Sequence, residues 1–383
     1  METRCSTSSN LRGGFRLLHR WIGLVLGTWL VLVSLSGGLI VFRDEIEDFI
    51  HGGLTRVAPN GPRTALQPMY DRALHEHPGA VFQTVNLPES ADRAISFWGH
   101  DREGRSFHVY ADPYTGRLLG SRPADRNVTE WLYLFHAQLL GGGVGEQVNG
   151  LGSLAWKVLL VSGVLLWIPN RGRAWADGLR VMGNAGWRRR TFDLHRAVGM
   201  WTFIPLLVVV VTGAYFPFKE PFRWLASTLT RSSAAEDSPP PGPRTGTTPW
   251  ISLDRVLEVS SAVLPQAPPN WIHLPGDEDA QFTVRKRLPG EWRREGANHV
   301  HVDPFDGRLL RADLHSERTP AQRVLRSMFP LHVGTFGGTA TRVLWLLLGF
   351  VPLVLFASSL ALWNARRRST APASNPQVRP ETR

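Results

Sequence analysis

Four histidines stand at matched points of the chain. His19 lies in Arg16-Leu17-Leu18-His19-Arg20-Trp21-Ile22-Gly23, and His195 lies in Phe192-Asp193-Leu194-His195-Arg196-Ala197-Val198-Gly199, 176 positions later. His136 opens His136-Ala137-Gln138-Leu139-Leu140-Gly141-Gly142, and His332 opens His332-Val333-Gly334-Thr335-Phe336-Gly337-Gly338, 196 positions later. Each motif borders a long apolar run. Two imidazoles facing each other at one membrane depth can supply both axial ligands of a haem held without covalent attachment. Ionisable residues at membrane depth are costly and default to a functional role when they face a bundle interior. The competing reading is an interfacial His at a helix end, satisfied by headgroups or backbone. Pairing at matched positions, with glycine after each, favours ligation: His19 with His195, and His136 with His332.

The neighbours fit that chemistry. Gly23 and Gly199 sit one helical turn beyond the first pair and leave room for a porphyrin. Gly141-Gly142 and Gly337-Gly338 could do the same or form turns. Arg20 and Arg196 adjoin His19 and His195 and could pair with haem propionates; ordinary positive-inside anchoring explains them as well. Trp21, Trp29, Trp201 and Trp345 read as interface anchors, and Gly37-Gly38 and Gly213-Ala214 as close helix packing. The other nine histidines, His51, His75, His77, His100, His108, His273, His299, His301 and His315, fall in polar contexts and read as solvated. His299 and His301 alternate along a strand and give only a weak metal signal.

Stable elements must carry these residues. The chain has 383 residues, 43% of them hydrophobic, with 15 Trp. The apolar residues are concentrated in blocks. Trp21–Phe42, Val198–Phe218 and Val343–Trp363 are each close to the roughly 20 residues that cross a hydrocarbon core. Val148–Ile168 is a fourth candidate, interrupted by Lys157; Ser162 and Trp167 match Ser358 and Trp363 at the offset of 196, which supports it. Lys157 has no charged counterpart, since Leu353 occupies the matched position, and it could snorkel or meet a propionate or substrate. Span one exceeds a signal-peptide core and lacks a following cleavage pattern, so it reads as an uncleaved helix.

Arginine clusters set the orientation. Arg4, Arg12, Arg16 and Arg20 precede the first block. Arg171, Arg173, Arg180, Arg188, Arg189 and Arg190 separate the second and third, and Arg366, Arg367 and Arg368 follow the fourth. All three clusters are expected on the cytoplasmic side, with both termini. The formal net charge of +11, from 43 Lys and Arg against 32 Asp and Glu, is read as the mark of these clusters, which favour anionic lipid, and it implies no nucleic-acid partner. Cys5 is the single cysteine. That excludes an internal disulfide, a cysteine-held iron–sulfur cluster and C-x-x-C-H haem attachment.

The long connections repeat too. Val109-Tyr110-Ala111-Asp112-Pro113-Tyr114-Thr115-Gly116-Arg117-Leu118-Leu119 matches Val300-His301-Val302-Asp303-Pro304-Phe305-Asp306-Gly307-Arg308-Leu309-Leu310 at an offset of 191. Each reads as strand, tight turn, strand, because Pro presets φ and Gly supplies positive φ. Strands are expected over Val81–Asn86, Ala94–Trp98, Trp271–Leu274 and Gln281–Arg287, and helices over Leu66–His77 and Ser252–Leu264. The expected fold is an α-helical membrane protein with four transmembrane helices in two parallel repeats, related by an axis along the membrane normal, and two outward α+β modules. Its boundaries run as a tail (1–15), helix one (16–43), module one (44–128), and a membrane-proximal helix with helix two (129–169). A cytoplasmic loop (170–191), helix three (192–218) and module two (219–318, with a Pro/Ser-rich linker at 231–249) follow. A second proximal helix with helix four (319–364) and a tail (365–383) close the chain.

These residues resemble the PepSY-associated transmembrane family, the iron-regulated membrane proteins that include a ferrioxamine reductase. The likeness covers roughly residues 15–368. It is carried by Leu18, His19, Arg20 and Gly23; by Ser36-Gly37; by Asp112, Pro113, Thr115, Gly116 and Arg117; and by Trp167 with Pro169. The resemblance implies PepSY-like outer modules, haem in the membrane, a bacterial inner-membrane location and reduction of ferric siderophores in the periplasm. Some relatives carry a fused reductase portion. Here the donor is expected to be quinol or a separate cytoplasmic reductase.

The leading expectation is therefore a reductase with two b-type haems. The alternatives are a non-enzymatic membrane-anchored PepSY binding or regulatory protein, and a metal permease. Against the permease, no span carries the acidic and histidine set of a cation path.

Overall fold

The computed structural model describes residues 3–124, 127–168, 175–235, 250–276 and 281–369, with side chains from Leu11 onward and up to Arg368. Arg171, Arg173, Pro169, most of the linker, the distal tail and the side chains of Arg4 and Cys5 lie outside the described residues.

The first apolar block lies within α1 (Thr3–Ile40), one helix of 38 residues that already includes most of the expected tail. Then come α2 (Arg43–Thr55) and α3 (Gln67–Glu76). Four strands follow: β1 (Val81–Asn86), β2 (Ile95–His100), β3 (Ser106–Ala111) and β4 (Leu118–Pro123). Next are α4 (Val128–Gln138) and α5 (Gly142–Trp167). The third block is split between α6 (Trp187–Trp201) and α7 (Phe203–Tyr215), and α8 (Lys219–Thr230) and α9 (Leu253–Val263) come after it. The second strand set is β5 (Pro269–His273), β6 (Phe282–Lys286), β7 (Asn298–Val302) and β8 (Leu309–Asp313). The described chain ends with α10 (Pro320–Val333) and α11 (Gly338–Ser369).

Among the described residues, three helices are long and apolar enough to cross a membrane, or four if α6 and α7 count as one broken span. The uncertain block with Lys157 is an uninterrupted helix, α5. The block expected to be a clean third span bends by 59° between α6 and α7. Pro205 accounts for this. It has no N–H for the carbonyl of Trp201, and its ring clashes there, so the helix breaks one turn upstream. The matched position in α1 is Trp29, which keeps its N–H, and α1 continues through it.

The strands form one antiparallel sheet, not two separate ones. Its order is β4-β3-β2-β1-β5-β6-β7-β8. The joint is β1 against β5, with Thr84 opposite His273 and Asn86 opposite Trp271. Both Asp-Pro turns form as expected: the Asp112 and Asp303 N–H groups donate to the Arg117 and Arg308 carbonyls. Alternation, reset in β1 by a bulge between Phe82 and Thr84, puts Phe82, Val85, Phe97, Val109, Ile272, Val284 and Val300 on one face, against Met69 and Ala73 of α3 and Val256 of α9. These two helices cap each other. The Leu66 and Gln67 N–H groups donate to the Asp254 carboxylate at 2.7 and 3.0 Å, and the Leu253 N–H donates to Gln67 Oε1 at 2.7 Å.

The chain divides into two compact units. One comprises Met1–Leu35, Leu151–Val211 and Leu347–Arg383, and its described elements are helices; the other, Ser36–Gly150 with Thr212–Leu346, contains the sheet.

Candidate functional site: two histidine pairs

In the helical unit, α1 carries His19 and α6 carries His195. Their ring centroids are 6.3 Å apart, with planes at 87°. Each Nδ1 is tied to its own neighbouring helix. His19 Nδ1 lies 3.1 Å from the Leu159 carbonyl and 3.0 Å from Ser162 Oγ on α5. His195 Nδ1 lies 3.2 Å from the Leu355 carbonyl and 2.9 Å from Ser358 Oγ on α11. A carbonyl only accepts, so the proton sits on Nδ1 and the lone pair on Nε2. The two serine hydroxyls donate to the same leucine carbonyls, which turns their oxygens into acceptors for the imidazoles.

Space is made differently at the two rings. A Cβ on Gly163 would come within 3.1 Å of His19 Cε1. The matched residue at the other ring is Ser359, whose hydroxyl lies 3.4 Å from His195 Nδ1.

The other unit holds the second pair. His136 sits in the last turn of α4 and His332 in the last turn of α10. Their centroids are 6.0 Å apart, with planes at 38°. A Cβ on Gly37 would come within 2.5 Å of His136 Cε1, and one on Gly213 within 3.0 Å of His332 Cε1. Thr212 Oγ1 lies 3.2 Å from His332 Nδ1, and Phe216 stands edge-on to that ring at 5.3 Å.

The elements that hold these helices are polar and specific. Glu47 on α2 accepts from Thr129 Oγ1 at 2.6 Å and Asn127 Nδ2 at 2.9 Å, at the start of α4. Arg43 pairs with Glu130 of α4 at 2.6 Å. Burial works to raise the Glu47 carboxyl, but Thr129, Arg43, Arg122 and Asn127 together hold it below its ordinary value. On the other side, Thr319 and Gln322 form a capping box at the start of α10, and Gln322 Nε2 donates to the Ala235 carbonyl at 2.6 Å, beyond α8.

A model of the PepSY-associated TM region matches residues 16–366. The chain belongs to the PepSY-associated transmembrane family. It is similar to an uncharacterised protein of Pseudomonas aeruginosa, 29% identical over 263 residues that cover 62% of this chain and 63% of the relative. The matched region thus spans less than two thirds of that relative. Family membership and the apolar helices make this a membrane protein.

Within this family member, the structure brings His19 beside His195 and His136 beside His332. A metal–nitrogen bond is about 2 Å, so two imidazoles sharing one ion place their centroids about 6 Å apart. Both pairs have that separation. With Nδ1 of the first pair already engaged, Nε2 is the available donor atom. Each pair could therefore hold a haem between its imidazole rings. Groups of three or more metal-ligating side chains do not occur among the described residues.

The supporting residues are less uniform. Arg20 is exposed over the Trp21 ring, and Arg196 lies over Phe192 and against Gly178. Gly23 and Gly199 face Leu159 and Leu355 at ordinary van der Waals distance. Gly37 and Gly213, expected to serve helix packing, accommodate imidazole rings instead. Trp345 is buried at 8% exposure against Phe336 and Gly334, so it is no interface anchor.

The solvated reading also fails for some outer histidines. His301 is 6% exposed and lies 3.2 Å from Asp313, while burial, reinforced by Arg122, lowers His108 to about 4. Sequence reasoning missed Ser162, Ser358 and Thr212 as imidazole partners. The Ser162–Ser358 match at the offset of 196 carries the signal, although by itself it supports only a span.

Proposed function

We propose that the protein is a bacterial inner-membrane reductase that holds two b-type haems and delivers electrons to a ferric siderophore. The observation that supports this best is the pair of bis-imidazole arrangements, each at a metal-sharing separation and each cleared by glycine. When bound, haem supplies reversible one-electron chemistry.

The residues have distinct tasks in this reading. His19 and His195 would hold one haem through their imidazole nitrogens, and His136 and His332 the other. The Leu159 and Leu355 carbonyls and the Ser162 and Ser358 hydroxyls fix the tautomer and raise the basicity of the first pair. Thr212 orients His332. Arg20 and Arg196 are the candidate propionate partners near the first pair.

The topology follows the arginine clusters. Four spans, counting α6–α7 as one, form two parallel repeats with cytoplasmic termini and the sheet in the periplasm. Electrons enter from quinol in the bilayer or from a separate cytoplasmic reductase. One quinol gives two electrons and two protons and so reduces two ferric ions. Hard oxygen chelation of iron is weaker for Fe(II), which is then released.

The test is vectorial reduction. The protein is placed in liposomes with quinol as donor, ferric siderophore outside and a Fe(II)-specific chromophore beside it. Chromophore formation that is abolished in His19→Ala and in His332→Ala supports the reading. Formation at the same rate in both variants, or none in a haem-replete wild type with any ferric siderophore tested, contradicts it.

A further inference from the structure

The sheet face opposite α3 and α9 carries an unusual row. Trp271, Arg285, His299 and Asp313 are directly paired neighbours across β5 to β8. Their strand neighbours Val284 and Val300 point into the helix-side core, so the row lies on the other face. Arg285 stands over the Trp271 ring at 5.9 Å; its Nη2 lies 3.4 Å from His273 Nε2, and its Nε is buried without a hydrogen-bond partner. Arg318 is 6% exposed, and both its Nε and Nη2 are buried without partners. Its nearest acid, Asp313, is 3.9 Å away, beyond hydrogen-bond reach, and is already bonded to Arg311 and His301. Arg293 Nε is also unbonded, with Glu295 at 3.7 Å.

The charges here do not balance. Burial, with Arg293 alongside, lowers Arg285 from its ordinary value. Burial, then Arg326, Arg285 and Arg318, drives His299 far down and keeps it neutral. Packed guanidinium groups with orphaned N–H donors are expensive in a folded protein. A carboxylate would offset that cost, because its two oxygens match the guanidinium fork.

We propose that Arg285, Arg293 and Arg318 form a carboxylate-binding site on this face of the sheet. Two sources could supply the carboxylate. One is a soluble polycarboxylate, including a carboxylate-type ferric chelate. The other is a propionate of the haem assigned above to His332: Arg293 lies 5.6 Å from the Phe329 ring, which contacts Phe216, which contacts His332. The site itself stands whether or not haem is present; only the second source rests on the haem reading.

The test uses the purified full chain and citrate as probe, read through tryptophan fluorescence at constant ionic strength. For a soluble ligand, the wild type and His332→Ala both give a saturable response, and Arg285→Gln or Arg318→Gln weakens it about ten- to hundredfold. For a propionate, the haem-loaded wild type gives no response, His332→Ala gains one, and Arg285→Gln shifts the haem midpoint potential.

Thermal unfolding without citrate guards against misfolding. Arg285→Met relieves an uncompensated charge and should leave the melting temperature unchanged or raised, whereas a purely structural arginine would lower it. No saturable citrate response in either wild type or His332→Ala, or a lowered melting temperature for Arg285→Met, overturns the proposal.

Discussion

At the residue scale, the geometry turns on small groups around each imidazole. Ser162 and Ser358 accept from His19 and His195 while donating to backbone carbonyls. Outer partners of this kind change metal affinity by about 10- to 100-fold when removed. Ser358→Ala is therefore expected to weaken haem retention at the first pair on dilution, with the second pair unaffected; equal retention at both would show the hydroxyl to be idle. Gly37 is the sharper case. A Cβ there would occupy space that His136 needs. Gly37→Val is expected to remove the second haem and keep the first, halving the haem content per chain. These positions were only half legible in the sequence. The Ser162–Ser358 and Gly37–Gly213 matches are visible by offset, but which ring each one meets depends on helix packing that no pattern encodes.

At the element scale, the two helices over the sheet hold each other through Asp254 and Gln67. An N-terminal capping acceptor is worth about 1 kcal/mol, and Asp254 serves two N–H groups. Asp254→Ala is expected to destabilise the sheet unit by about 1–2 kcal/mol, read by chemical unfolding; a loss near zero would show that water replaces the carboxylate. Strand and helix positions were legible because alternation and the Asp-Pro turns are local signals. The joining of the two strand sets was not, since the β1–β5 pairing links residues roughly 190 positions apart. The short helices α2 and α8 also went unread, because each directly follows a long apolar block and lies in a segment read as an α+β module. The break at Trp201–Phe203 was readable in principle from Pro205, but the uncharged block around it pointed to a plain span.

At the scale of the whole molecule, acid should destabilise the sheet unit. Burial, helped by Arg122, lowers His108 to about 4, with Glu47 opposing and Arg43 assisting. A histidine depressed in the fold binds fewer protons there than in the unfolded chain. Its contribution to stability is complete above its unfolded pKa of about 6.5 and is lost as pH falls toward 4. The melting temperature is expected to drop across that window, and less so in His108→Gln; an identical pH profile for the variant would show that other groups govern acid stability.

The two-pair arrangement is the claim on which the functional account stands, and haem stoichiometry tests it most directly. The purified wild type should show reduced-minus-oxidised bands of bis-histidine b-type haem at two per chain. His195→Ala and His332→Ala should each retain one, and the double variant none. A folded, full-length wild type that stays colourless after expression with ample haem, or single variants that keep both haems, would contradict the account.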